Sequence, residues 1–485
     1  MTSSDTAVEE ELWIQFQTAA KEIGELIRRY TKNGVTEIVS HHDADGLSAA
    51  GVIGSMLVGL DVPFRIRIMK QLDDTAINYL EDSKNGLIIF SDLASSKVEL
   101  LSERLSNPLV ILDHHEIGEI GLPDRTDLGF LNPHRFGIDG SHAISGAGVA
   151  YIVARSLNEN NVRLAPLAIV GATGDRQNKG SKHSFTELNA KIVEEGKKYG
   201  VITEELDFWV YDAHNMPIVQ AIERLDIPEL SGVAIQRYLE KELGISSFVG
   251  DKKRTIAGLT VEEKRKIGTA LIVKFGLTDD QIYRYVYTFP KETHPRLQGA
   301  VEHATLLNSL GRTGNYGIAL ALTLGDRRSE TIEEAENLLK EYRQQLGSYL
   351  QWASLEKINA HTYDTFYFLD AGHHIDDRVI GTVASILVGR EKALQDRPLL
   401  AVAITEDNQW KLSGRIARSI EGRYSLATIF QEAMDQILPE GEVGGHDAAA
   451  GAALPKDKLQ PFLEAVNAIL KNQPSKEEDS TDSKE

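Results

Sequence analysis

Asp113-His114-His115 closes the apolar run Leu109-Val110-Ile111-Leu112, and three more apolar runs in the chain also end in acids. The run from Ile38 leads into His41-His42-Asp43-Ala44-Asp45-Gly46, the run from Leu87 into Ser91-Asp92, and the run from Ala168 into Gly174-Asp175. Each reads as a β-strand. Residues two apart on an extended chain point the same way, so Asp43 and Asp45 are expected to reach one site together. A single aspartate after a strand is commonly a helix cap or turn former. Four such strand ends joined by a histidine pair point to a metal centre. The chain has no cysteine, which excludes thiolate sites, and hard carboxylates mixed with imidazole suit Mn²⁺ or Mg²⁺ better than Zn²⁺. Two such ions, about 3.5–4 Å apart, activate water for in-line attack on phosphorus and neutralise charge on the leaving oxygen. The chemistry implied is phosphoester hydrolysis.

Strands that all end in ligands fit an open α/β sheet, whose binding crevice lies outside the carboxyl ends of parallel strands. Helical stretches at 46–59 and 143–157 supply crossovers. The expected organisation begins with an amphipathic helix over 1–34, with Leu12, Phe16, Ala20, Ile23 and Ile27 on one stripe and Asn33-Gly34 as its stop. A parallel-sheet domain follows over 35–186, and then a charged, mostly helical insertion over 187–305. A smaller α/β domain spans 306–471, with helical spacing from about 330 to 358, and an acidic tail over 472–485 reads as disordered. The active-site cleft is expected between the two α/β domains.

The loop Asn132–Gly140 and the segment after it offer Arg135 and His142 to a phosphate. Ser145-Gly146-Ala147-Gly148 offers backbone amides at a helix start, where anions are stabilised. Further on, Gly444 and Gly445 permit close backbone approach to a phosphodiester, His446 supplies a donor, and Arg415 a bidentate contact.

With 72 acidic and 52 basic residues the formal net charge is −20. That excludes binding of duplex by the whole surface, so nucleic acid must be held locally, and a narrow groove that admits a single strand suits this best. No apolar run reaches membrane-spanning length and the start of the chain lacks a signal-peptide pattern, so no membrane is expected and the protein reads as cytoplasmic.

These motifs resemble the DHH phosphoesterase superfamily, named for a triplet like Asp113-His114-His115. The similarity covers His41-x-Asp43-x-Asp45-Gly46, Asp92, 113–115 and Gly174-Asp175. It extends to Gly444-Gly445-His446-Asp447, similar to the signature of the DHH-associated domain, DHHA1, and to Gly381-Thr382-Val383-Ala384-Ser385 and Leu412-Ser413-Gly414-Arg415. Length and arrangement resemble the archaeal RecJ-like single-strand exonucleases, the GINS-associated nucleases. The resemblance implies that 35–186 is a DHH domain and 306–471 a DHHA1 domain, and that the insertion is like that of the related replicative-helicase subunit. It implies Asp43, Asp45, Asp92, His114 and Asp175 as ligands of two divalent ions, Mn²⁺ or Mg²⁺. His41 stands for a histidine that many members carry four residues before the first aspartate, where this chain has Val39. Asp113 and His115 become orienting or substrate-facing partners, and Asp43, Asp45, Asp113, His114 and His115 the catalytic group. Which histidine of the pair takes the metal stays open. Arg312, Ser413, Arg415, Gly444, Gly445 and His446 are implied as substrate contacts. The implied activity is metal-dependent hydrolysis of single-stranded DNA or RNA to mononucleotides in replication or repair, with the GINS complex as a possible partner. Rival readings within the superfamily are a small-substrate phosphodiesterase, acting on oligonucleotides or cyclic dinucleotides, and a non-catalytic replisome scaffold.

Overall fold

Five strands, β1 (Thr36–His41), β2 (Phe64–Met69), β3 (Ile88–Ser91), β4 (Leu109–Leu112) and β5 (Leu128–Leu131), form an all-parallel sheet in the order β2-β1-β3-β4-β5. β1, β3 and β4 are buried, and β3 and β4 are mostly apolar, as expected of parallel strands covered on both faces. The order turns back on itself at β1, and the crevice between β1 and β3 is the switch point where open α/β sheets bind ligands. The computed structural model describes residues 3–81, 86–118, 120–209, 216–225, 227, 230, 232–359, 363–441 and 443–472. The expected acidic tail lies, from residue 473, outside the described residues.

The chain divides into two compact units, Met1–Leu338 and Leu339–Glu485. In the first, the helix Ser3–Tyr30 buries Phe16, Ala20, Ile23 and Ile27 against the helix Gly146–Leu157 and β5, with Leu12 half-buried on the same stripe. Gly34, at φ +125°, follows the helical turns as the expected stop. The helix Ala44–Gly59 leaves β1 and packs on the helices Gly146–Leu157 and Ala165–Gly174.

That last helix is a correction. The apolar run ending at Asp175 was expected to be a strand, and it is helical from Ala165 to Gly174. Nearly every residue from Ala165 to Ala172 is buried, so no polar face marks the helical period, and a short apolar run without periodicity reads equally as a buried strand.

The insertion is mostly helical, as expected, and it also carries two pairs of strands. β6 (Thr203–Phe208) pairs antiparallel with β9 (Tyr283–Thr288), and the short strands β7 (Phe248–Val249) and β8 (Lys252–Lys253) form a hairpin between them in sequence. Helices such as Val261–Phe275 surround a core that includes Phe208, Ile218, Ile235, Ile267 and Leu271. The boundary expected at 306 differs from the structural division: residues 306–338 fall in the first unit. The helix Ala300–Arg312 buries Leu306, Leu307 and Leu310, and it packs on the helices Ala44–Gly59 and Ala165–Gly174.

The second unit carries the sheet β10 (Tyr367–Asp370), β11 (Leu399–Ile404), β12 (Trp410–Arg415), β14 (Ala449–Leu454), β13 (Val443–His446), in that spatial order. Only β10 and β11 run parallel. Its core includes Val383, Phe430, Phe462 and Val466. The helix expected near 330–358 runs from Ser329 to Trp352, with a second from Leu355 to Asn359.

Candidate metal centre

The carboxyl ends of β1, β3 and β4 deliver their side chains to one place. Asp45, Asp92, His114 and Asp175 offer ligand atoms that all lie within 4.8 Å of one another, and His41, Asp43 and Asp92 form a second such group. Asp92, His114 and His115 form a third, and Asp92 belongs to all three. Its Oδ1 is 3.2 Å from His114 Nε2, while its Oδ2 is 3.6 Å from His41 Nδ1. His114 Nε2 also stands 3.3 Å from Asp175 Oδ2 and 3.6 Å from Asp45 Oδ2, and His41 Nδ1 lies 2.9 Å from Asp43 Oδ2. Asp92 sits just past β3 with φ +57°, a conformation that costs a non-glycine residue about 1–3 kcal/mol and that tends to persist at functional sites.

Asp43 and Asp45 arrive together, though not by the expected route. Asp43 is extended and caps the helix Ala44–Gly59, its Oδ1 accepting from Gly46 N–H at 3.0 Å, whereas Asp45 lies in the first helical turn. The Asp45 carboxylate accepts from the amides of Gly146 (2.6 Å) and Ala147 (2.9 Å) at the start of the neighbouring helix. Those are the amides expected to meet a substrate phosphate. The anion at that helix start is the protein's own carboxylate, and Ser145 is buried with its hydroxyl accepting from Gly148 N–H. Close approach also requires glycine here: a Cβ on Gly171 would lie 2.1 Å from Asp45 Oδ1, and one on Gly146 would lie 2.7 Å from Asp92 Cβ.

The two histidines of the triplet are held differently. His114 Nδ1 donates to Gly140 O at 2.8 Å, which leaves the Nε2 lone pair aimed at the acids. Gln177 Nε2 donates to the same carbonyl at 2.9 Å and is itself held by Asn189 Nδ2 on Gln177 Oε1 at 2.7 Å. Asp113 serves the other ring: its Oδ1 accepts from His115 Nδ1 at 2.8 Å and from His114 N–H at 2.8 Å, and its Oδ2 accepts from Ser95 N–H at 2.9 Å. The His115 side chain is 58 % exposed, so Nε2 can meet a substrate. Gly140, Gln177, Asn189 and Ser95 carry no motif of their own, and sequence reasoning missed them. The nearest signal was Gln177 two residues past Asp175.

Electrostatics shows what the cluster suits. Burial, followed by the Asp92 charge, pushes the Asp45 carboxyl up to about 7. Burial and the charges of Asp45 and Asp43 raise Asp175 well above the usual carboxylate range. Burial opposes protonation of His114 and His41, yet their carboxylate neighbours outweigh it and raise both. Asp113 is held well below its ordinary value: burial works against its charge, and the His115 imidazole prevails. Both Asp92 oxygens, His114 Nε2 and His41 Nδ1 are buried without a hydrogen bond despite these short separations. Orphaned acceptors crowded around common points fit divalent cations, and the O/N donor set suits Mn²⁺ or Mg²⁺.

The expected substrate contacts fall in several places. Arg135 donates to Phe130 O at 3.1 Å and lies over the Phe130 ring, on the sheet's last strand. His142 Nδ1 is 3.4 Å from Asp139 and its Nε2 is 3.0 Å from Lys179 Nζ. Arg312 ends the helix Ala300–Arg312, whose Asn308 Oδ1 accepts from Ala44 N–H at 3.0 Å beside the cluster. In the second unit, Gly444 and Gly445 stand on the edge strand β13. The register sets Ser413 opposite Gly451 and Gly451 opposite Gly444, while Arg415 faces Ala449 and Ala449 faces His446. The His446 side chain lies outside the described residues. Gly445 needs its glycine: φ is +126°, and a Cβ would lie 2.2 Å from Ala449 O. Arg415 Nε donates to Ser385 Oγ at 2.8 Å.

The model of the DHH family N-terminal domain matches residues 36–172, and that of the DHHA1 domain matches 365–472. An uncharacterized protein of Methanocaldococcus jannaschii is 30 % identical over 447 residues, covering 91 % of this chain and 94 % of that protein. RecJ from Thermus thermophilus, in complex with Mn²⁺, superposes with a TM-score of 0.58 at 19 % identity. The match covers 94 % of this chain but 55 % of that one, so the chain spans about half the length of that RecJ. CDC45 from Entamoeba histolytica gives a TM-score of 0.58 at 11 % identity, covering 96 % and 99 % of the two chains. At these identities the two structures show a shared fold.

Proposed function

We propose, because the chain belongs to the DHH family of phosphoesterases, that it is a metal-dependent, single-strand-specific exonuclease releasing mononucleotides from DNA or RNA. The observation that carries this reading is Asp92, with one carboxylate oxygen toward the His114 group and the other toward the His41 group. His41, Asp43, Asp45, Asp92, His114 and Asp175 would hold two divalent ions, Mn²⁺ or Mg²⁺. Bound ions of this kind lower the pKa of water and offset charge on a phosphoryl group.

The protein's own groups do the rest. Gly140 fixes the His114 tautomer so that Nε2 remains a lone-pair donor to metal. Asp113 holds His115 by Nδ1 and, against the opposing effect of burial, keeps its pKa above the ordinary value. The protonated His115 Nε2 faces outward and gives its proton to the leaving 3′ or 5′ oxygen. Within the second unit, Arg415 and the glycine edge of β13 are the groups suited to phosphate, and association with GINS would place the activity in replication or repair.

The test is digestion of end-labelled single-stranded DNA and RNA of several lengths with Mn²⁺, Mg²⁺ or chelator, comparing wild type with Asp92→Asn. A metal-dependent ladder down to mononucleotides, absent in the variant, is expected. Undiminished hydrolysis by Asp92→Asn would contradict the reading. Activity confined to the shortest substrates would mark a small-substrate phosphodiesterase instead.

A further inference from the structure

The antiparallel register of β6 and β9 sets Thr203 opposite Thr288, Glu205 opposite Val286 and Asp207 opposite Arg284. Residues two apart on a strand share a face, so these six lie on one side of the ribbon. Across from that side stand Thr173, near the end of the helix Ala165–Gly174, then Asn178, and the first turn of the helix Ala300–Arg312. Together they enclose a cavity of about 240 Å³. A cavity of about 150 Å³ is enough to hold benzene, so this one has room for a bicyclic ring.

A gap where two parts of a chain meet needs no ligand to explain it when apolar groups alone line it. This one carries aromatic rings and charged groups together. Trp209 lines it just past β6, with its amide donating to Ile282 O at 2.8 Å and the Arg284 guanidinium 4.2 Å from its ring centroid. The acids of the lining differ in what they can offer. Asp207 is engaged within the protein, its Oδ1 accepting from Phe208 N–H at 2.8 Å and its Oδ2 from Lys264. Glu302 is buried in the first turn of its helix, whereas Glu205 is exposed and its carboxylate can accept from a ligand. Three acids against Lys264 and Arg284 disfavour a phosphate and favour an uncharged ring that donates hydrogen bonds. The same cavity adjoins the metal centre: Thr173 and Asn178 line it, and they bracket Asp175 and Gln177 in the chain. The segment that follows is tied to the ribbon. Phe185 N–H donates to the Tyr287 hydroxyl at 3.0 Å, their rings lie 4.8 Å apart, and Lys182 pairs with Asp279. Arg176, Lys182 and His183 hold φ values of +56°, +51° and +59°, which persist only where the surroundings impose them.

We propose that this cavity is an effector site for an uncharged purine with two adjacent N–H donors, a guanine-type base or nucleoside, and that its occupancy is felt at the metal centre through the turn 175–178. The ring packs against the aromatic lining, and its two N–H groups meet the Glu205 carboxylate. A ligand packed on Thr173 and Asn178 restrains the residues between them, and a preordered Asp175 binds metal more tightly. The coupling is reciprocal, so bound metal tightens the purine by the same factor.

Titration calorimetry of chelator-treated protein with guanosine tests the site without requiring metal or turnover. Saturable binding is expected, about tenfold weaker for inosine, which lacks the exocyclic amino group, and about tenfold weaker for Glu205→Gln. Val286→Phe, which fills the cavity, should abolish it while far-UV circular dichroism stays native. Asp92→Asn should bind guanosine as the wild type does, which separates the cavity from the metal centre. In a Mn²⁺ titration, saturating guanosine should tighten Mn²⁺ about fivefold in the wild type and leave Val286→Phe unchanged. Absence of guanosine binding, or equal binding by natively folded Val286→Phe, would overturn the site. Adenosine binding as tightly as guanosine would overturn the donor-edge assignment, and a Mn²⁺ affinity indifferent to guanosine would overturn the effector role. If the chain binds guanosine but no Mn²⁺, the metal-centre reading fails while the cavity assignment stands.

Discussion

His114 and His115 are adjacent in the chain and held in different ways. The difference comes from what each Nδ1 meets: the Gly140 carbonyl at 2.8 Å for His114, and the Asp113 carboxylate at 2.8 Å for His115. The triplet was legible from sequence as a unit. The different anchoring of its two rings was not, because it depends on a carbonyl 26 residues away from His114 in the chain. The same separation hid Gln177, whose amide joins His114 and Asn189 through one network. Replacing Gln177 with leucine is expected to weaken Mn²⁺ binding about 10- to 100-fold, as loss of a ligand's supporting hydrogen bonds commonly does, and calorimetric titration would measure it. His115→Ala should keep metal affinity and lower kcat about 10²- to 10⁴-fold, the usual worth of a general acid. In the wild type, where His115 has a raised pKa, the rate should fall as pH climbs through it, and that alkaline limb should be absent from the variant's pH profile. A variant with the same limb would remove His115 from the role.

Elements bring the acids together, and here sequence periodicity was an uneven guide. β1, β3 and β4 were legible because buried parallel strands are short apolar runs bounded by turn residues. The helix Ala165–Gly174 was not, since burial on nearly all sides erased its polar face. β6 and β9 were missed for the opposite reason: Glu204, Glu205, Asp207 and Arg284 give a two-stranded ribbon with no continuous apolar face to announce it. The helical form of 165–174 has a consequence for the site. Its Gly171 lies directly against Asp45, while the amides opening the helix Gly146–Leu157 hold that same carboxylate. Gly171→Ala must displace Asp45 by about an ångström or more, for which a loss in kcat of about 10²-fold is expected. The fold should survive, as judged by far-UV circular dichroism. Near wild-type kcat in that variant would show that Asp45 is not fixed as described.

The whole molecule carries a net charge of −20 and gathers buried acids at the carboxyl ends of the sheet's inner strands, an arrangement that favours bound cations. Among the described residues no helix is long and apolar enough to cross a membrane. In metal-free protein the Asp45 carboxyl is raised to about 7, above its ordinary unfolded value near 4. A group raised on folding contributes stability that is present at low pH and is lost as pH rises through its folded-state value. Chelated protein should therefore lose Tm between about pH 5 and pH 8, and Mn²⁺ should recover it. The Mn²⁺-induced rise is expected to be at least about 3 °C larger at pH 8 than at pH 6, measured by scanning calorimetry; an equal rise at both would argue against proton–metal exchange at these acids. The most direct test of the proposed two-ion centre is the Mn²⁺ stoichiometry by titration calorimetry, wild type against Asp92→Asn. Two ions per wild-type chain, with both weakened together by the one substitution, is the result expected of a carboxylate shared between two groups. A single ion per chain, or two that bind Asp92→Asn unchanged, would contradict it.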